Sequence, residues 1–188
     1  TIRVPGHPDF KQVERTPRHG RVLSAAHAAH SEVLDTTKHV LALRWTALDA
    51  DNSTVLAGVL SNQAQSVGDL IEAYRHFHSP MQNVVMADTT GNIAFQAAGV
   101  APKRTLHQGL YGLAPAPGWD KQYDWQGYIP FDQLPALDNP EQGWLATANQ
   151  QILAANNPNP LTGDWELPFR YERITALLEA KQQHDFAS

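Results

Sequence analysis

Apolar and polar positions recur with regular spacing in a few short windows, and these windows define the elements expected of the chain. Ile2 and Val4, then Phe10, Val13 and Arg15, flank the turn-forming run Pro5-Gly6-His7-Pro8-Asp9 and predict a short hairpin. Val22-Leu23, following His19-Gly20, predicts a strand. So does the stretch from His39 to Leu48, where Val40, Ala42, Arg44, Thr46 and Leu48 alternate in part. The clearest helical stripe is Val67, Leu70, Ile71, Tyr74 and Phe77, at i, i+3, i+4, i+7 and i+10. Ser66 is placed to cap that helix, Asp69 suits its first turn, and Pro80 stops it after Ser79. Asn83 to Ala87 and Ile93 to Ala97 flank Asp88-Thr89-Thr90-Gly91-Asn92 and predict a second hairpin. Pro168 ahead of Ile174, Leu177 and Leu178 predicts a closing helix.

Between Pro102 and Pro168 lie most of the prolines and four of the five tryptophans, with too few periodic apolar residues for helices or a long sheet. Disordered chains are poor in aromatics, so this stretch is expected to be an ordered loop pinned by Trp119, Tyr123, Trp125, Tyr128, Phe131 and Trp144. The 188 residues are 42% hydrophobic, which suits one domain or a large piece of one. A net charge of -5 offers no broad positive surface, so nucleic acid is not an expected partner. With no Cys there is no disulfide, thiolate nucleophile or sulfur-ligated zinc. Apolar runs such as Val40 to Leu43 fall far short of the roughly 20 residues of a membrane span. The chain opens on Thr1-Ile2-Arg3-Val4 with an extended pattern already under way, as expected of a processed subunit or a trimmed piece.

Local motifs leave the chemistry open. Of nine histidines, His27-Ala-Ala-His30 and His76-Phe-His78 are the pairs that invite a metal. Neither has the i, i+4 His-Glu-x-x-His spacing or a Glu between its members, and solvent-facing or core-satisfied imidazoles are the default. Thr1 at a true N-terminus would be a nucleophile activated by its own amine, but it equally opens the expected hairpin strand. No Gly-x-Ser-x-Gly elbow or phosphate-cradling Gly loop is present.

Taken in order, several segments do carry a pattern. They are Arg15-Thr16-Pro17-Arg18-His19-Gly20-Arg21-Val22-Leu23, Leu43-Arg44-Trp45-Thr46-Ala47-Leu48-Asp49, Asn83 to Asp88 with Gly91-Asn92-Ile93, and Gly99-Val100-Ala101-Pro102-Lys103-Arg104. Trp125-Gln126-Gly127-Tyr128-Ile129-Pro130-Phe131, Asn139-Pro140, Gly143 to Asn149 and Arg170 to Ile174 follow. This series resembles the β-subunit of the penicillin acylase family, N-terminal-nucleophile amidases that include penicillin, cephalosporin, aculeacin and acyl-homoserine-lactone acylases. The first segment departs from the family's R-T-x-H-G by one extra residue before His19.

The resemblance implies an α/β (α+β) fold, part of an αββα sandwich of mostly antiparallel strands with a long ordered loop. Residues 1–188 would be a single fragment of the β-subunit, inactive in isolation. Its partners would be an α-subunit, the remaining β-subunit segments of one autocatalytically processed precursor, and a small acyl amide substrate. The implied activity is hydrolysis of a linear amide through an N-terminal Ser acyl-enzyme, with the Ser before Thr1, no required cofactor, and a periplasmic or secreted location. That class serves antibiotic biosynthesis or quorum quenching. Asn149 aligns with the family's oxyanion-stabilising amide, and Arg173 with the Arg that orients it; Arg170, one turn earlier, is the rival. Some members hold a structural calcium through the carbonyl matching Pro102 and an Asp matching Asp164. The alternative from another class is a non-catalytic β-rich binding module whose aromatic loop engages a ligand.

Overall fold

The computed structural model describes residues 3–11, 15–23, 32, 34–105, 109–154 and 157–185. They fall into two compact units, Thr1–Leu48 and Asp49–Ser188.

In the first unit β1 (Arg21–Val22) pairs antiparallel with β2 (Ala42–Leu43), with Arg21 opposite Leu43 and Val22 opposite Ala42. Gly20 makes this approach possible: its φ is +111°, and a Cβ there would lie 2.0 Å from the Leu43 carbonyl oxygen. The strand expected from His39 to Leu48 is therefore only two residues long. Beyond it the chain coils into a 3-10 turn, Thr46–Leu48, with Thr46 buried. The expected N-terminal hairpin has its turn, closed by the His7 amide on the Val4 carbonyl at 3.1 Å, while Ile2 and Val13 lie outside the described residues.

The second unit is built on the antiparallel sheet β3 (Gln82–Ala87), β4 (Ile93–Ala98) and β5 (Ala136–Asp138), with β4 in the middle. Side chains alternate across a strand, so β4 serves two cores. Ala94 joins Val67, Met86 and the partly buried Leu70, Ile71, Tyr74 and Val84 on one face. Phe95 and Ala97 join Ala101, Ile129 and Leu134 on the other, with Met81, Phe131, Leu145, Ile152 and Leu161 packed around them. The first face is covered by α2 (Val67–Tyr74), the expected amphipathic helix, whose Ser66 hydroxyl accepts the Asp69 amide at 3.1 Å. The second is covered by the long loop.

The β3–β4 turn is organised by Asp88. Its carboxylate accepts the Thr90 hydroxyl, the Asn92 side-chain amide and the backbone amides of Thr90, Asn92 and, from the start of α2, Val67. The Thr90 and Asn92 contacts hold its carboxyl well below the usual range. A helix the periodicity does not reveal, α1 (Thr54–Ser61), precedes α2 and exposes Val55, Leu56 and Val59.

The Pro-rich loop is ordered as expected, but its aromatics contribute unequally. Trp119 is 75% exposed, whereas the aliphatic Ile129 and Leu134 are buried at 5% each. The loop is fastened to the end of β4 through backbone bonds between Lys103 and both Gly127 and Gln126, and from the Ile129 amide to the Ala101 carbonyl. Arg104 stacks 5.9 Å from the Trp125 ring centroid and donates to the Leu161 carbonyl. The closing helix α3 (Phe169–Glu179) starts at Pro168.

Candidate active site

Asn149 ends the run Ala146 to Asn149, which leaves the hydrophobic core at buried Ala148. β3 holds this run, because the Asn83 side-chain amide donates to the Thr147 hydroxyl at 3.2 Å. At Asn149 the backbone turns left-handed, with φ +64°, a conformation that Asn tolerates better than most residues. Its carbonyl accepts the Glu166 amide at 3.1 Å, which brings the chain back beside it just before α3 begins.

That return delivers a guanidinium. Arg170, in the first turn of α3, donates from Nη2 to Asn149 Oδ1 at 2.9 Å. Arginine has no acceptor, so this contact fixes which end of the Asn149 amide faces α3. The amide oxygen is held there, and the Nδ2 hydrogens point away from the guanidinium as available donors. The side chain is exposed. A neutral, oriented N–H donor of this kind suits a site where negative charge develops on an oxygen.

The sequence placed Arg170 and Arg173 on one side of the helix and favoured Arg173. In the structure it is Arg170 that reaches Asn149, because the Glu166–Asn149 bond brings the first turn of α3, not the second, to the amide. Arg173 is exposed, and its side chain makes no hydrogen bond or ion pair among the described residues. Pro102 forms a bridge with Tyr128, while exposed Asp164 donates its amide to the Thr162 hydroxyl at 3.0 Å. No described contact joins Pro102 to Asp164. Thr1, His27 and His30 lie outside the described residues, and His76 is exposed.

Sequence reasoning missed two arrangements. One is the Asn83–Thr147 tie, between residues 64 positions apart. The other is a grouping of Asp49, Asp51 and His78. Neither carries a local sequence signal, since each is created by packing.

The sheet, its covering helix and the loop have the fold of an N-terminal-nucleophile hydrolase. The chain superposes on thermostable penicillin G acylase from Alcaligenes faecalis with a TM-score of 0.74 at 21% identity, over 99% of this chain and 31% of that one. The family model for penicillin amidase matches residues 1–188, and the chain belongs to that family. Among curated relatives, an acyl-homoserine lactone acylase QuiP of Pseudomonas fluorescens (strain Pf0-1) is 35% identical over 193 residues, covering 100% of this chain and 22% of the relative. The QuiP of Pseudomonas aeruginosa is 30% identical over 191 residues, again covering 100% of this chain and 22% of its own length. Penicillin acylase 2 proenzyme of Pseudomonas sp. (strain SE83) is 32% identical over 117 residues, 62% of this chain and 15% of that protein. The chain thus spans about a fifth of the length of the acyl-homoserine lactone acylases it matches. Among the described residues, no helix is long and apolar enough to cross a membrane.

Proposed function

We propose that the protein carrying this chain is an amidohydrolase that cleaves an N-acyl compound to a carboxylic acid and an amine. In this reading a Ser at the start of the mature β-subunit, outside these 188 residues, attacks the amide carbonyl, with its own α-amine as base. The tetrahedral oxyanion receives an N–H from Asn149 Nδ2, the amine leaves, and water hydrolyses the acyl-enzyme. Arg170 holds Asn149 in register. The observation that carries the assignment is the 2.9 Å Arg170–Asn149 Oδ1 bond, which turns the amide donor away from α3 with no partner among the described residues.

Acyl-homoserine lactones or similar N-acyl amides are the favoured substrate class, because relatives bearing that activity in their names match nearly the whole chain, whereas the penicillin acylase 2 match covers 62% of it. A periplasmic or secreted location is proposed with it and rests on the family resemblance. For calcium, Pro102 and Asp164 supply at most three oxygens of the six to eight the ion takes. By themselves they do not fit a site.

The test is Asn149→Ala in the full-length protein. Folding and precursor processing are expected to survive while turnover falls about 10²- to 10³-fold. Near-normal release of acid and amine from an N-acyl substrate overturns the assignment.

A further inference from the structure

Away from Asn149, the turn before α1 and the segment after α2 bring Asp49, Asp51 and His78 together, with one ligand-type atom from each lying within 4.8 Å of the others. The His78 side chain is only 9% exposed and that of Asp49 18%. His78 is held in place from both sides. Its amide donates to Thr54 Oγ1 at 3.0 Å, as does that of Ser79 at 3.1 Å, and its carbonyl accepts the Val100 amide at 2.8 Å. Thr54 is the first residue of α1, so the helix that follows the two aspartates also fixes the imidazole facing them.

His78 Nε2 lies 3.4 Å from Asp49 Oδ2. That is longer than the usual range of about 2.7–3.2 Å for an N–H···O bond. It matches the spacing of about 3.3 Å between two ligands that each sit about 2.0 Å from a tetrahedral ion. Asp49 Oδ2 is also oriented by the Tyr128 hydroxyl, which donates to it as outer-shell partners do to metal-binding carboxylates. Asp51 is exposed and free to swing inward as the third donor. One imidazole and two carboxylates form a set that suits a first-row divalent ion better than calcium, which prefers oxygen alone.

We propose that Asp49, Asp51 and His78 bind one divalent transition-metal ion, with zinc as the type, completed by water. The ion fastens the turn before α1 to the segment linking α2 and β3. The inference is independent of the amidohydrolase reading, since none of the three touches Asn149 or Arg170.

The experiment strips the full-length protein with a chelator, then titrates Co²⁺ as a spectroscopic probe and Zn²⁺ with metal analysis after desalting. Asp51→Asn serves as a surface variant that leaves the core untouched, and His78→Gln as a buried one. One equivalent is expected in the parent protein, lost in His78→Gln and bound at least about tenfold more weakly in Asp51→Asn. A visible Co²⁺ band that disappears in the His78 variant supports the site. Absence of uptake in the parent, or uptake that either substitution leaves unchanged, overturns it and leaves only a histidine–aspartate contact.

Discussion

Replacing Arg170 separates positioning from charge stabilisation at Asn149. In the full-length protein, Arg170→Met removes the one side-chain bond that fixes the Asn149 amide among the described residues. The freed side chain samples three χ1 wells and two orientations of its amide, about six states of which one presents the donor correctly, a loss of about sixfold in turnover. Losing a positive charge at an exposed position adds only a few-fold, because solvent screens it. The expected decrease is thus about six- to thirtyfold, well short of the 10²- to 10³-fold expected when the donor itself is deleted. In the proposed mechanism the donor acts on an oxyanion that exists only in the transition state, so the loss should fall on kcat and leave KM unchanged. Arg170→Lys should recover part of it. Arg173→Met should stay within about twofold of the parent, as its side chain makes no described contact. Steady-state release of the amine product from an N-acyl substrate, with mass spectrometry to confirm processing, gives the readout. Equal damage from the Arg170 and Arg173 variants, or full turnover in Arg170→Met, would refute the reasoning.

Phe95 anchors the loop-side core at 7% exposure, and Phe95→Ala should cost about 3–5 kcal/mol there, lowering hydrogen-exchange protection of the β3–β5 amides about 10²- to 10⁴-fold. A change below tenfold would place that core elsewhere. Asp88 is held below the usual carboxylate range, so its stabilisation is complete above the unfolded pKa of about 3.9 and is lost as pH falls below that toward the folded value. The melting midpoint of the parent protein should exceed that of Asp88→Asn at pH 6, and the gap should narrow steadily as pH is lowered from 4 to 2.5. A gap independent of pH would exclude Asp88 as its source.

The sequence revealed those elements whose signals are local. α2 has an apolar stripe and a Ser66 cap, although it ends at Tyr74, well before the stop expected at Pro80, and the β3–β4 hairpin has Asp88 and Gly91 at its turn. α1 escaped notice because its sequence, Thr-Val-Leu-Ala-Gly-Val-Leu-Ser, has no polar face to set a period. At three residues, β5 is too short to show alternation. Trp119 misled for a different reason: large aromatic area is a capacity for burial, and Trp119 stays 75% exposed. At the candidate site, Asn149 was singled out by a resemblance running along the chain. The choice between Arg170 and Arg173 was not, because residues three apart share a helix side and only the path of the chain from Glu166 selects one.

The left-handed backbone at Asn149 narrows what protein engineering can install there. Gln, the other neutral carboxamide, incurs a penalty of about 1–2 kcal/mol in that conformation and carries its nitrogen one methylene too far. Gly fits the backbone and has nothing to donate. Substitution at this position is limited at once by its main-chain geometry and by the reach of its side chain.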